Sequence, residues 1–154
     1  MLLIMDKKYI QHFRETLRIF DQELFLQNSA SCCNGISMAQ CHTLLEIEKS
    51  SSASVSQLAK TLSLDKSTVS RTVDGLVNIR MVNRVTPKEN RRTALINLTE
   101  SGKEVCATIN YTSDSYISEI LQDFSEDEQE EFFRLFRKLT CNMAAYRTQK
   151  KKLP

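Results

Sequence analysis

The stretch Ser56-Gln57-Leu58-Ala59-Lys60-Thr61-Leu62-Ser63-Leu64-Asp65-Lys66-Ser67-Thr68-Val69-Ser70-Arg71-Thr72-Val73-Asp74-Gly75-Leu76 decides the fold. Its apolar residues fall into two groups at helical spacing, Leu58, Ala59 and Leu62, then Val69, Val73, Leu76 and, one residue on, Val77. Ser54 and Gln57 have the spacing of a capping box and open the first helix, while Asp65 can cap a second from Lys66 to about Ile79. Two short helices joined by Ser63-Leu64-Asp65 predict a helix-turn-helix. Ser67, Thr68, Ser70 and Arg71 are left outside near the start of its second helix.

Downstream, Val82 to Thr86 and Ala94 to Leu98 are β-prone runs around the basic, turn-forming Pro87-Lys88-Glu89-Asn90-Arg91-Arg92, which predicts a hairpin wing. A long helix is expected from Thr99 to about Asp123, with Val105, Ile109, Tyr116, Ile120 and Phe124 on one side and Gly102 weakening only its first turn. Ser125-Glu126-Asp127-Glu128 is another capping box, with acidic residues suited to the positive end of the helix dipole. Phe132, Leu135, Phe136, Leu139 and Met143 carry the stripe of that last helix, and Arg147 to Lys152 its basic end.

Upstream, Ile10, Phe13, Leu17, Phe20 and Leu24 mark a helix over Asp6 to Gln27, and Asn28 to Gly35 reads as a loop. A box at Ser37-Met38-Ala39-Gln40 starts a helix that buries Leu44, Leu45 and Ile47 and ends near Ser50-Ser51-Ser52. The expected organisation is a dimerisation helix and loop over 1–36, a winged helix-turn-helix over 37–99 and dimerisation helices over 100–154. The fold is expected to be mainly α, with a two-stranded β wing and a helical dimerisation region drawn from both chain ends. The long end helices are apolar along one face, and a second copy of the chain is the expected cover, making a homodimer.

Composition agrees: 154 residues, 41% hydrophobic and 26% charged, with three glycines, two prolines and no tryptophan, describe a small helical globule. They exclude a large multidomain enzyme and a disordered chain. Net charge is only +2, but from Lys60 to Arg92 eight basic residues face three acidic ones, leaving 13 basic and 16 acidic elsewhere. A +5 middle within a −3 frame is the asymmetry of a nucleic-acid-binding face. Met1 to Met5 is apolar but lacks a basic leader, and no run reaches the length of a membrane span. With an odd five cysteines the expectation is free thiols in the cytoplasm and no membrane association.

The run 56–76, followed by Val82-Asn83-Arg84, the wing Asn90-Arg91-Arg92 and Leu98-Thr99-Glu100-Ser101-Gly102, resembles the MarR-type transcriptional regulators. The resemblance implies a dimeric winged helix-turn-helix that binds a palindromic operator on double-stranded DNA and is released by a small ligand or by thiol chemistry. Lys60, Lys66, Ser67, Thr68, Ser70, Arg71, Lys88, Arg91 and Arg92 are then the candidate DNA-binding residues. Arg71 is placed to reach a base or phosphate, Arg91 and Arg92 to enter the minor groove, and Lys60 and Lys88 to touch phosphate. Two positions depart from the family pattern: Asn90 stands where an aspartate commonly precedes the wing arginines, and Arg80 where a glycine commonly ends the recognition helix. Either the cap differs at Arg80, or Asn78 supplies the turn.

Cys32, Cys33 and Cys41, with His42, lie within eleven positions. A thiolate at a helix start is stabilised by the dipole, and soft thiolates suit arsenic(III), antimony(III) or, less well at this spacing, zinc. No resident cofactor is required; such an ion, or an oxidant, is the expected effector of a repressor. The same regulator with structural cysteines and a phenolic or anionic ligand is the alternative. A protein-interaction or anti-repressor dimer that does not read DNA is a reading of another class. Cys106 and Cys141 are expected to pack, and His12 to be an ordinary surface residue. No phosphate-binding loop, dinucleotide loop, zinc-protease helix or hydrolase elbow is present, so the chain is expected not to be an enzyme.

Overall fold

The computed structural model describes residues 6–31, 35–87 and 93–150. The chain divides into two units, Met1–Ile109 and Asn110–Pro154. The first holds α1 (Lys7–Ser31), α2 (Met38–Ser50), α3 (Val55–Leu62), α4 (Lys66–Asn78), β1 (Val82–Val85), β2 (Leu95–Leu98) and the start of α5 (Glu100–Ile120). The second holds the rest of α5 and α6 (Glu126–Lys150). It is a mainly helical chain with one two-stranded antiparallel sheet, as the residue pattern predicts.

The core of the first unit is built by α2, α3, α4 and the sheet. Leu44, Ile47, Leu58, Val69, Val73, Leu76 and Ile96 are fully buried. Each such side chain contributes about 1.5–3 kcal/mol relative to exposure, so the inward positions of three short helices hold them together where local helix propensity alone would not. All three expected capping boxes are formed. Ser37 with Gln40 and Ser54 with Gln57 bond reciprocally at the starts of α2 and α3. The Ser125 amide donates to Glu128 at 2.9 Å, and the Glu128 amide returns a bond to Ser125 Oγ at 3.4 Å. The bond from the Ser125 amide, with a second from the Ser125 hydroxyl at 3.0 Å, holds the Glu128 carboxyl below its ordinary range.

β1 and β2 pair with Val82 opposite Leu98 and Val85 opposite Leu95. One contact was not foreseen. Ala53, in the link before α3, makes a two-way backbone bridge to Ile96, with N···O distances of 3.1 and 2.8 Å. The base of the wing is thereby tied to the start of the helix-turn-helix.

The first connection differs from expectation: α1 runs on to Ser31, where a loop from Asn28 was predicted. Nothing between Asn28 and Ser31 breaks a helix, since these polar and small residues only lower its propensity and the first glycine comes at Gly35. α5 ends at Ile120, a little short of the expected Asp123.

The end of α4 resolves the question posed by the missing glycine. Asn78 remains the last helical residue, and Arg80 itself takes the left-handed turn at φ 60°. Its amide donates to Val77 O at 2.9 Å and the Met81 amide to Leu76 O at 2.9 Å, the paired bonds of a Schellman stop. The stop is therefore kept and the conformational cost accepted. Replacing Arg80 with glycine should stabilise the chain by about 1 kcal/mol. A urea denaturation midpoint that fails to rise would contradict this origin of the strain.

In the second unit Phe132 packs against Phe124 and Phe136, at ring-centroid distances of 6.1 and 5.5 Å. No residue of α6 is buried. Among the described residues no helix is long and apolar enough to cross a membrane.

Candidate nucleic-acid interface

The turn between α3 and α4 is made by local bonds. Ser63 takes a left-handed conformation at φ 57°, and the Leu64 amide returns to Ala59 O at 3.0 Å. Asp65 is then extended and begins α4. Val69, Val73 and Leu76 anchor one side of α4 in the core. This leaves Lys66, Ser67 and Arg71 exposed, with Thr68 and Ser70 half-buried at the edge of the same surface. Five of the expected DNA-binding residues therefore share the first two turns of one helix, and Lys60 is exposed on α3. Lys88, Arg91 and Arg92, together with Asn90, lie outside the described residues.

The Asp65 carboxylate accepts three bonds. They come from the Thr68 amide at 2.7 Å, the Thr68 hydroxyl at 2.7 Å and the Ser67 hydroxyl at 2.5 Å. Led by the Ser67 and Thr68 hydroxyls, these bonds hold the acid far below the usual carboxylate range, so it stays ionised at any working pH. Arg71 has a long bond from Nε to Ser67 O at 3.4 Å, which leaves most of the guanidinium turned to solvent.

Spacing could not reveal one pair. Arg84 on β1 meets Asp74 on α4 at 2.7 Å, both side chains partly exposed. The pair joins β1 to α4 and removes Arg84 from the basic charge available to a ligand. Such a half-exposed pair contributes about 1 kcal/mol or less, so its value lies in register more than in stability.

The cysteines fall in different surroundings. Cys41 faces the core and is 5% exposed, whereas His42, one residue on, faces out. These two candidate ligands do not share a face, and Cys32 and Cys33 lie outside the described residues. Among the described residues no group of three or more His, Cys, Asp or Glu side chains is placed to hold a metal ion. Cys106 is fully buried, as expected, and Cys141 is exposed where packing was expected. Burial, and then the nearby Glu48 carboxylate, push the Cys106 thiol up to about 11. At pH 8 an alkylating reagent should therefore modify Cys141 in the native chain and reach Cys106 only after unfolding. Peptide mass spectrometry would show this order, and early labelling of Cys106 would contradict it.

Residues 36–94 match the model of the MarR family. Over these residues the chain is similar to the MarR family. YdgJ of Bacillus subtilis, an uncharacterised HTH-type transcriptional regulator, is 28% identical over 63% of this chain. The match spans 59% of that relative's own length. A MarR/EmrR family transcriptional regulator from Acinetobacter has the same fold, with 28% identity, a TM-score of 0.71 and coverage of 88% of this chain and 96% of that one. FabT of Streptococcus pneumoniae, solved in complex with DNA, is 22% identical with a TM-score of 0.77, covering 92% of this chain and 99% of its own. YdgJ and the Acinetobacter protein are both named as transcriptional regulators. Within the matched segment, α3 and α4 form the helix-turn-helix and β1 with β2 the base of the wing.

Proposed function

We propose that the chain is a DNA-binding transcriptional regulator, acting as a repressor, that grips a palindromic operator as a homodimer. The observation that carries this reading is α4 itself: its inner residues are locked into the core while Lys66, Ser67 and Arg71 stand exposed on its first turns. A helix anchored in this way can enter the major groove without losing its own packing. The DNA complex of FabT, a chain of the same fold, supports the assignment. Lys60, Lys66 and Lys88 would neutralise phosphate, and Arg91 and Arg92 would reach the minor groove from the wing.

The dimer is supported by the apolar residues that the end helices present to solvent. Ile10, Phe13, Leu17 and Leu24 on α1, and Phe132, Leu135 and Met143 on α6, are all exposed. A second copy would cover them and set two recognition helices about 34 Å apart, one DNA turn. Titration of the protein on duplex DNA from its own upstream region, with the mass of the complex read by light scattering, tests both parts. Two chains per half-site pair are expected; a single chain per duplex, or no complex, contradicts the proposal.

Release by thiol chemistry at Cys32, Cys33 and Cys41, through a soft ion such as arsenic(III) or antimony(III) or through an oxidant, completes the proposal. The buried position of Cys41 favours a second reading, in which a phenolic or anionic ligand is the signal and the cysteines are structural. Operator binding by the wild type and a Cys32→Ser, Cys33→Ser, Cys41→Ser variant separates the two. Arsenite, antimonite or oxidant should release only the wild type; equal retention of both proteins rejects the thiol signal.

A further inference from the structure

We propose that Asp65 fixes the polarity of the reading surface, so that Ser67 and Thr68 present lone pairs, and not protons, to the edge of a bound base. The inference rests on the DNA-binding reading above. A serine or threonine hydroxyl has one proton to give, and here both protons are directed to the Asp65 carboxylate. A helix cap requires only the bond from the Thr68 amide, which Asp65 also accepts. The two hydroxyl bonds are additional to the cap. Hydrogen bonds to an ionised acceptor are about twice as strong as neutral ones, so an uncharged base acceptor would not draw either proton away.

This restriction decides what the two residues can recognise. Phosphate oxygens only accept, so neither hydroxyl can bond the backbone while it serves Asp65. Contacts to phosphate are left to Lys66, to Arg71 and to the first amides of α4. In the major groove, a lone pair is matched by the amino group of adenine or cytosine, and opposed by the O6 of guanine or the O4 of thymine. Ser67 and Thr68 therefore discriminate adenine from guanine, or cytosine from thymine, at the positions they face. They are specificity-determining residues, and Asp65 is the positioning residue behind them.

Asparagine caps a helix as well as aspartate, but one of its two side-chain atoms is a donor. In an Asp65→Asn variant at least one hydroxyl must accept from the new amide and turn its proton outward. The experiment is selection from a randomised duplex pool by the full-length wild type, Asp65→Asn, and a Ser67→Ala, Thr68→Val double variant, with circular dichroism confirming helix content.

The wild type is expected to enrich adenine or cytosine at one or two positions in each half-site. Asp65→Asn should move at least one of them by transition, adenine to guanine or cytosine to thymine, with a change in preference of about fivefold. The double variant should lose the discrimination at the same positions. Unchanged base preference in Asp65→Asn overturns the inference alone, as does a double variant that keeps the wild-type preference. Failure of the wild type to enrich any duplex overturns the DNA-binding reading and this inference together.

Discussion

Replacing Gly102 with alanine should destabilise the chain by about 3 kcal/mol or more, toward the upper end of what overpacking costs. A Cβ built there lies 2.1 Å from the Met81 carbonyl oxygen. That oxygen is not free to move, because it accepts the Thr99 amide at 3.0 Å and lies 3.1 Å from the Thr99 hydroxyl. Thr99 Oγ1 in turn accepts the Gly102 amide at 3.0 Å and sits 2.7 Å from the Arg80 carbonyl. Relieving the clash would open the junction at which the end of α4, the sheet and the start of α5 meet. For a chain of this length the melting temperature should fall by about 10 °C. Gly75 provides the control, because the nearest obstacle to a Cβ there is the Gln40 side-chain nitrogen at 3.0 Å, the movable end of a flexible group. Gly75→Ala should change stability by less than about 1 kcal/mol, since helix propensity offsets the crowding. Thermal melts that fall together for the two variants would contradict the account of Gly102.

Removal of the Arg71 guanidinium should weaken operator binding by about tenfold or more while leaving the fold intact. Arg71 is exposed, and its one long bond to Ser67 O adds little to stability. An effect of that size in Arg71→Ala would therefore report lost DNA contacts. Arg71→Lys should recover little of it, because an ammonium cannot reproduce a planar two-pronged contact. Affinities measured by fluorescence anisotropy on one duplex, with melting curves for both variants, separate binding from stability. Wild-type affinity in Arg71→Ala would remove α4 from the interface.

Most of the architecture was legible because its signals are local. The boxes at Ser37, Ser54 and Ser125 each mark a helix start through residues three apart, and Asp65 caps α4 as expected. The inward spacing of Val69, Val73 and Leu76 was enough to orient α4. What escaped depends on tertiary placement. The Ala53–Ile96 bridge and the Asp74–Arg84 pair join segments that neither periodicity nor composition connects. Arg80 was recognised as a misfit, but only the Schellman bonds show that the stop is kept at its expense. One signal was present and was outweighed by a motif. Cys41 precedes Leu44 by three and Leu45 by four, which places it on the inward face of α2 and His42 off it.

The salt dependence of DNA binding tests the central claim most directly. A dimer neutralising about six phosphates through its lysines and wing arginines should lose about a thousandfold in affinity between 50 and 200 mM salt, with a linear log–log plot. Such a slope on duplex DNA from the upstream region is the predicted result. A flat plot, or no saturable binding at low salt, would contradict the assignment of α4 and the wing as a DNA-reading surface.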